Sequence, residues 1–383
     1  MSMSQTRPLA SITTWSSGGT PSRSRDAYWN GTIPWISAAT LRGSRIGGSD
    51  QHLTEAGLRA GSNLAPRGAT LVLVRGMALH RETRIGLAQL PVSFNQDVKA
   101  LVPKAGILPE FLLYALQARS GQIRELVSSA GSGTGVINTQ LLQRLPIWVP
   151  SEETQRTVVE AMSDTDDLIA TLERLIVKKQ AIKLGMMQQL LTGRTRLPRF
   201  TTLWAECTLG GIARIKTGSR NNQDKVAGGP YPFFVRSATV ERIGSYSYDC
   251  EAVLVPGEGG IGSIFHYING KFEVHQRVYK ISDFAPDVSG RFVYYFMRQH
   301  FGAHAMENSV KATVDSLRLP TFKNFQFRLP SRDEQDAIVR VLDDAESEVI
   351  ALEDRLTKAR AVKSGMMQQL LTGRTRLPVE AAS

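Results

Sequence analysis

The sequence predicts a mixed α/β fold in which two globular domains are separated by two long helices that form an antiparallel coiled coil, the whole being a pseudo-two-fold internal repeat. Three observations carry that expectation. The stretch GMMQQLLTGRTRLP begins at Gly185 and again at Gly365, so the same fourteen letters recur at an offset of 180 residues. Ahead of each copy, apolar side chains fall at alternating steps of four and three, the spacing of a coiled-coil seam. The remaining sequence consists of short β-rich runs cut by Gly, Pro, Asn and Ser, with one short helical pattern near the end of each block.

Taken in chain order, residues 1–150 form the first globular block, 151–198 the first helix, 199–330 the second block, and 331–383 the second helix with a tail. In the first block ATLVLVRG (69–76) reads as a strand and PEFLLYALQARS as a helix. The first long helix opens with Pro150 and then Ser151 at the N-cap, places the acidic residues of SEETQ against the positive end of its dipole, and stops at Gly193. Its seam is Val158, Met162, Thr165, Ile169, Leu172 and Ile176. The second block repeats the plan of the first with mostly different letters. Both have a polar loop (GGTPSRSR, KTGSRNN), a Pro-aromatic step (IPWISAATL, YPFFVRSATV), an apolar strand running into glycines (EAVLVPGEGG at 251–260 in the second), and a Gln before a strand (FNQDVKAL, VHQRVYKI). An aromatic helix, SGRFVYYFMRQH in the second block, and a Leu-Pro step then lead to the long helix. The second long helix repeats the first: Pro330 and Ser331, Gln335 over Gln155, a stop at Gly373, and the seam Ile338, Leu342, Ala345, Val349, Leu352 and Leu356. At ~1.5 Å per residue, about forty residues reach roughly 60 Å. A lone amphipathic helix of that length would expose its stripe, so the two copies are expected to pack on each other.

Composition narrows the function. The chain has 383 residues, enough for two or three domains. No run approaches the ~20 apolar residues of a membrane span, and MSMSQTRPLASITTW lacks the apolar centre of a secretion signal, so a cytoplasmic protein with no membrane role is expected. Only Cys207 and Cys250 occur, which excludes a disulfide framework and a four-thiolate zinc site. His300 and His304 share a helical spacing but lack the adjacent Glu of zinc proteases, so no metal is expected. The net charge is +11, and it is unevenly placed: 1–150 carries 15 Lys/Arg against 7 Asp/Glu and 199–330 carries 16 against 11, whereas 151–198 sums to 0 and 331–383 to −2. Basic globular blocks joined by near-neutral helices point to a polyanionic partner met by the blocks.

Several motifs suggest catalysis and fail on context. GEGGIG (257–262) has dinucleotide-loop spacing, but a helix must start at its third glycine, and SIFHYINGKFEVHQRVYKI alternates around Asn269-Gly270 like a β-hairpin. GSGTG (131–135) precedes no phosphate-binding lysine and reads as a loop. No Asn/Asp-Pro-Pro-aromatic motif of adenine methyltransferases, no P-loop, no nuclease carboxylate cluster and no nucleophile triad is evident. The chain is therefore expected to be non-catalytic, with any catalyst on another subunit.

Two unlike basic domains alternating with two repeated helices that end in MMQQLLTGRTRL resemble the specificity subunit of type I restriction-modification enzymes, and GGTPSR followed by YWNGTIPWISAATL resembles the start of its first target recognition domain. The resemblance spans essentially the whole chain. It implies a double-stranded DNA reader in which each domain reads one half of a split site and the helices set the spacer. It further implies two methyltransferase subunits, which carry S-adenosylmethionine and dock on the helices, and restriction translocase-nuclease subunits. A related system with fused methyltransferase and nuclease, or an architectural DNA binder without an enzyme, are the alternatives.

Candidate DNA-binding residues in the first domain are Thr20, Ser22, Arg23 and Arg25 of the polar loop, Tyr28 and Trp29 beside it, and Arg75, Arg81 and Arg84 after a strand. In the second they are Lys216, Ser219, Arg220, Asn221, Asn222, Lys225 and Arg236. Arg suits guanine and Asn or Gln suits adenine at major-groove edges. Trp35 and Phe233 read as core. Met186, Met187, Leu190 and Leu191, repeated as Met366, Met367, Leu370 and Leu371, read as a surface for two identical partner subunits, with packing on the adjoining domain as the alternative.

Overall fold

In this computed structural model residues 5–129, 133–260, 262–307 and 316–375 are described. The chain falls into two compact units. One takes the described residues up to Glu173 together with those from Arg355 onward, and the other runs from Arg174 to Asp354. Each unit therefore holds one globular lobe and part of both long helices, Glu152–Leu190 and Arg332–Leu370, which are 39 residues each.

The first unit is built on a five-stranded sheet in the spatial order Thr13–Ser17, Val98–Pro103, Thr70–Leu73, Ile85–Ala88, Arg45–Ile46, and a four-stranded sheet in the order His52–Leu53, Trp29–Ile36, Val92–Phe94, Asn63–Ala65. Helix Pro109–Gln117 buries Phe111 through Leu116 against the larger sheet. Two short antiparallel pairs complete the unit, Gln5–Pro8 with Pro146–Val149 and Val127–Ser129 with Gly135–Ile137. The second unit has one six-stranded sheet, Arg214–Thr217, Val278–Ser282, Tyr248–Pro256, His266–Val274, Tyr231–Phe234, Glu241–Ile243, and a clasp of Ala205–Thr208 with Gln326–Leu329. Its sheet is covered by Gly290–Glu307, which buries Phe292, Tyr295, Phe296 and Phe301.

The two sheet plans differ at one strand. Pro91, which lacks an N–H, lies between Ile85–Ala88 and Val92–Phe94, and the first unit divides its strands into two sheets there. In the second unit the corresponding strand, His266–Val274, is continuous. The expected hairpin at Asn269-Gly270 is overturned by this strand: Cys250 pairs with Gly270 and Glu251 with Asn269 in an unbroken antiparallel ladder. The glycine adopts φ +139° inside the strand, a value open to Gly, so the dipeptide is carried within the ladder instead of reversing it. No helix follows Gly262. The chain passes through a turn into that strand, which removes the structural basis for dinucleotide binding. GSGTG lies partly outside the described residues, as does the end of the C-terminal tail.

The long helices run antiparallel where they meet. In the first unit Thr165 Oγ1 lies 3.7 Å from Met366 Sδ, Lys363 pairs with Asp166 at 2.5 Å, and Arg360 with Glu173 at 2.7 Å. In the second, Lys183 pairs with Glu346, Gln180 donates to Glu353 at 3.1 Å, and Lys179 pairs with Glu348 at 2.7 Å. Shifting Lys183 and Glu346 by 180 residues gives Lys363 and Asp166, and shifting Gln180 and Glu353 gives Arg360 and Glu173. Two of these cross-helix contacts are thus repeated between the units, whereas Lys179–Glu348 has no counterpart because Ala359 and Leu168 stand at the equivalent positions.

The seam itself is shorter than the periodicity predicts. Val158 and Met162 belong to the first unit's core and Ile338 and Leu342 to the second's, so the leading third of each stripe packs on its lobe. Gln155 and Gln335, both 0% exposed, anchor the same turns. Gln155 Nε2 donates to Gly106 O (2.9 Å) and Pro150 O (3.1 Å) while its Oε1 accepts from Leu108 N (2.9 Å). Gln335 does the same with Asp287 O (2.9 Å), Pro330 O (2.8 Å) and Ser289 N (2.8 Å). Ser151 Oγ accepts from Thr154 N at 3.3 Å as an N-cap, and Gly193 (φ +69°) and Gly373 (φ +74°) end the helices in the left-handed region. No described helix is long and apolar enough to cross a membrane.

Candidate nucleic-acid interface

In the first unit the polar loop is fastened to a turn carrying Gln96. Gly19 N donates to Phe94 O (2.9 Å), and Thr20 Oγ1 donates to Gln96 Oε1 (2.8 Å). A Cβ on Gly18 would lie 2.0 Å from Phe94 O, so the loop approaches this turn at a distance only glycine permits. The Arg23 guanidinium sits 4.5 Å from the Trp29 ring centroid and 5.1 Å from that of Trp35, and donates to Gln51 Oε1 at 3.0 Å. Arg25 donates to the Tyr28 hydroxyl at 2.8 Å, and Ser22 Oγ lies 2.9 Å from Ser24 Oγ. Trp29 Nε1 donates to Ser22 O (3.1 Å) and its ring meets that of Trp35 edge-on at 5.2 Å. The loop is thereby a pre-shaped cationic surface, with Arg23 and Arg25 exposed but held by aromatic faces.

Arg75 and Arg81 are exposed in the following loop. Arg84 is committed to the fold: it is half-buried, donates to Ala38 O, and pairs with Glu82 at 2.7 Å. A guanidinium so occupied has little of its fork left to offer DNA, which sets Arg84 apart from the exposed Arg75 and Arg81. Trp35 and Phe233 are 2% and 0% exposed, in keeping with a core role.

The second unit places its loop in the same way. A Cβ on Gly218 would lie 2.0 Å from Val274 O, Arg220 N donates to Val274 O (3.3 Å), and Gln276 N donates to Arg220 O (2.8 Å). Gln276 Nε2 donates to Asn221 Oδ1 (2.5 Å), and Asn221 N donates to Asp224 Oδ2 (2.8 Å), which closes a capping box over Asn222–Asp224. Lys216, Ser219, Asn221 and Asn222 are exposed. The other cations here have carboxylate partners. Arg220 Nε lies 3.4 Å from the fully buried Glu273, Lys225 lies 3.5 Å from Glu241, and Glu258 holds both Arg236 (3.1 Å) and Arg277 (3.0 Å). His275 is buried beneath this cluster, and burial together with Arg236 and Arg277 moves its pKa below the ordinary value.

Gln51, Gln96, Gln276, Arg277 and Glu258 complete these surfaces and were not selected from sequence. The shared Gln before a strand was visible there as a feature of both blocks, but only the fold brings it beside the polar loop.

The repeated helix ends do not form a free surface. Leu370 and Leu371 are 4% and 0% exposed in the first unit's core, with Met366 and Met367 packed against it. Met187, Leu190 and Leu191 are 4%, 6% and 0% exposed in the second unit's core beside Met186. Of the eight residues, Met187, Leu190, Leu191, Leu370 and Leu371 are thus closed into a lobe core, which favours the alternative of packing on the adjoining domain, and Met186, Met366 and Met367 lie half-buried beside them. Cys207 and Cys250 are half-buried thiols, and burial raises Cys207 to about 11.

The sequence matches the type I restriction modification DNA specificity domain over residues 1–179 and 202–359, that is, across both halves and most of the chain. The chain belongs to the type I restriction-modification specificity family. Among curated relatives, the EcoR124I/EcoR124II specificity subunit of Escherichia coli is 30% identical over 164 residues, covering 42% of this chain and 41% of that subunit. The MjaVIII specificity subunit of Methanocaldococcus jannaschii is 20% identical over 304 residues, 70% of each chain. The chain thus spans about two-fifths of the first of these relatives in its match. The crystal structure of the type I S subunit from M. genitalium superposes with a TM-score of 0.66 at 14% identity over 96% of both chains, a likeness of fold.

Proposed function

We propose that this specificity-family chain is the DNA-reading, non-catalytic subunit of a type I restriction-modification complex, with each lobe reading one half of a bipartite double-stranded site. The observation that carries the reading is the repeated device at the lobe surface: a glycine-tight polar loop locked to a Gln-bearing turn, built twice on one plan with different charged residues. One plan suits one duplex geometry, and different residues suit different half-sites. Exposed Arg and Lys would supply salt-dependent phosphate affinity, and the amide and guanidinium groups would select bases. The helix pair would set the unread spacer, and the linkage would raise the effective concentration of the second lobe once the first is bound.

In this reading two modification subunits, carrying S-adenosylmethionine, dock on the exposed helix faces and lobe flanks, restriction translocase-nuclease subunits join them, and the assembly works in the cytoplasm. The test is to replace the first lobe with that of another family member and map the methylated motif of cells expressing the chimaera with its modification subunits. One half-site is expected to change while the other half and the spacer stay. Change in both halves rejects modular reading, and binding across random DNA with no motif supports an architectural protein instead.

A further inference from the structure

The loop-and-turn device is the same in the two lobes at one side chain and opposite at its neighbours. Gln96 and Gln276 are 180 residues apart, both exposed, and both bonded to the polar loop, through Thr20 and Asn221 respectively. The next residue is Asp97 in one lobe and Arg277 in the other. Across the turn, Leu73 pairs with Val98 and Pro256 with Val278, and two residues further on Arg75 and Glu258 each form an isolated antiparallel bridge, to Val136 and Ser316. Arg75 and Glu258 therefore occupy one position with opposite charge, as do Asp97 and Arg277.

We infer that Gln96 and Gln276 each read an adenine, at corresponding positions of the two half-sites, while the inverted charges beside them make the rest of the half-sites differ. This rests on the DNA-reading function proposed above. A glutamine amide carries two donors and two acceptor lone pairs, and the loop occupies one of these in each lobe, an acceptor site of Gln96 and a donor of Gln276. Each amide keeps a donor and an acceptor for the N7 and N6 edge of adenine, the bidentate match for this side chain. The loop bond restrains the amide's swing before DNA arrives, and the glycine contacts at Gly18 and Gly218 fix the loop against the turn in both lobes.

The test is selection of bound duplexes from a library with two randomised blocks, using the full-length chain assembled with its modification subunits. For wild type, each half-site should contain one adenine preferred by roughly 5- to 150-fold over other bases at its position. Gln96→Ala should remove that preference in one half-site, Gln276→Ala in the other, and Gln96→Glu should move it towards cytosine, whose N4 amino group a carboxylate accepts. Both side chains are exposed, so matched melting curves will show that the variants fold. An unchanged motif in Gln96→Ala and Gln276→Ala, a uniform loss of affinity with the motif intact, or loss of preference at a base other than adenine would overturn the inference. A wild-type chain that selects no motif would overturn the DNA-reading function itself.

Discussion

Leu191 and Leu371 stand at the same place in the repeated stretch, and each is fully buried in the core of its own unit. Changing either to Ala deletes three carbons from a closed core, which costs about 2–5 kcal/mol from lost burial and the cavity left behind. For units of about 200 residues, ~2–4 °C per kcal/mol places the fall in Tm at roughly 4–20 °C. The assay is urea unfolding of the purified chain followed by circular dichroism, with Leu191→Ala, Leu371→Ala and Gln188→Ala compared in parallel. Gln188 lies in the same repeat and is exposed, so its truncation should stay within about 0.5 kcal/mol. If the leucines served only a partner, both variants would unfold like wild type and fail later, in assembly. A loss below about 1 kcal/mol for both, with unchanged denaturant dependence, would refute the conclusion that the helix ends are core.

Replacing Gln155 with Leu should destabilise the first unit by at least ~1 kcal/mol, because Pro150 O loses its partner in a buried position, at about 1–3 kcal/mol, and Gly106 O and Leu108 N lose theirs at half-buried ones. Gln335→Leu should do the same in the second unit, and chemical denaturation reads both. His275 gives a pH dependence whose sign follows from its lowered pKa, caused first by burial and then by Arg236 and Arg277, with Glu258 opposing. The folded state resists protonating it, so its contribution is intact above about pH 6.5 and is lost as pH falls below that value through the folded pKa. A Tm profile that declines below pH 6.5 in wild type and declines less in His275→Asn is the expected outcome, and identical slopes would count against it.

The long helices were legible because caps, dipole charges, stop glycines and apolar period all agree, and because the chain states the design twice. The destination of the apolar stripe was not legible. Val158 and Ile338 sit on the same 4-3 pattern as Leu172 and Leu352, yet the first two face a lobe. Period reports that a face is covered and says nothing of what covers it. The hairpin expected at Asn269-Gly270 failed because a strong local turn preference was overridden by an unbroken ladder with the preceding strand, Tyr248–Pro256. At the candidate interface, Arg and Asn in the polar loops could be selected by residue type. Gln96, Gln276 and the opposed Arg75 and Glu258 required knowing which turn lies against which loop, and the occupation of Arg84 by Ala38 and Glu82 required knowing its surroundings.

Strand Gln5–Pro8 lies beside Pro146–Val149, and Ala205–Thr208 beside Gln326–Leu329, so each lobe begins and ends at adjacent backbone positions about 4.8 Å apart. Such a lobe is topologically a graft on a fixed stem. A gene segment coding for everything between the two clasping strands can be exchanged for one of different length and sequence, and the stem still receives the chain at the same point and heading. Inheritance can therefore vary the two lobes separately while leaving the rods untouched.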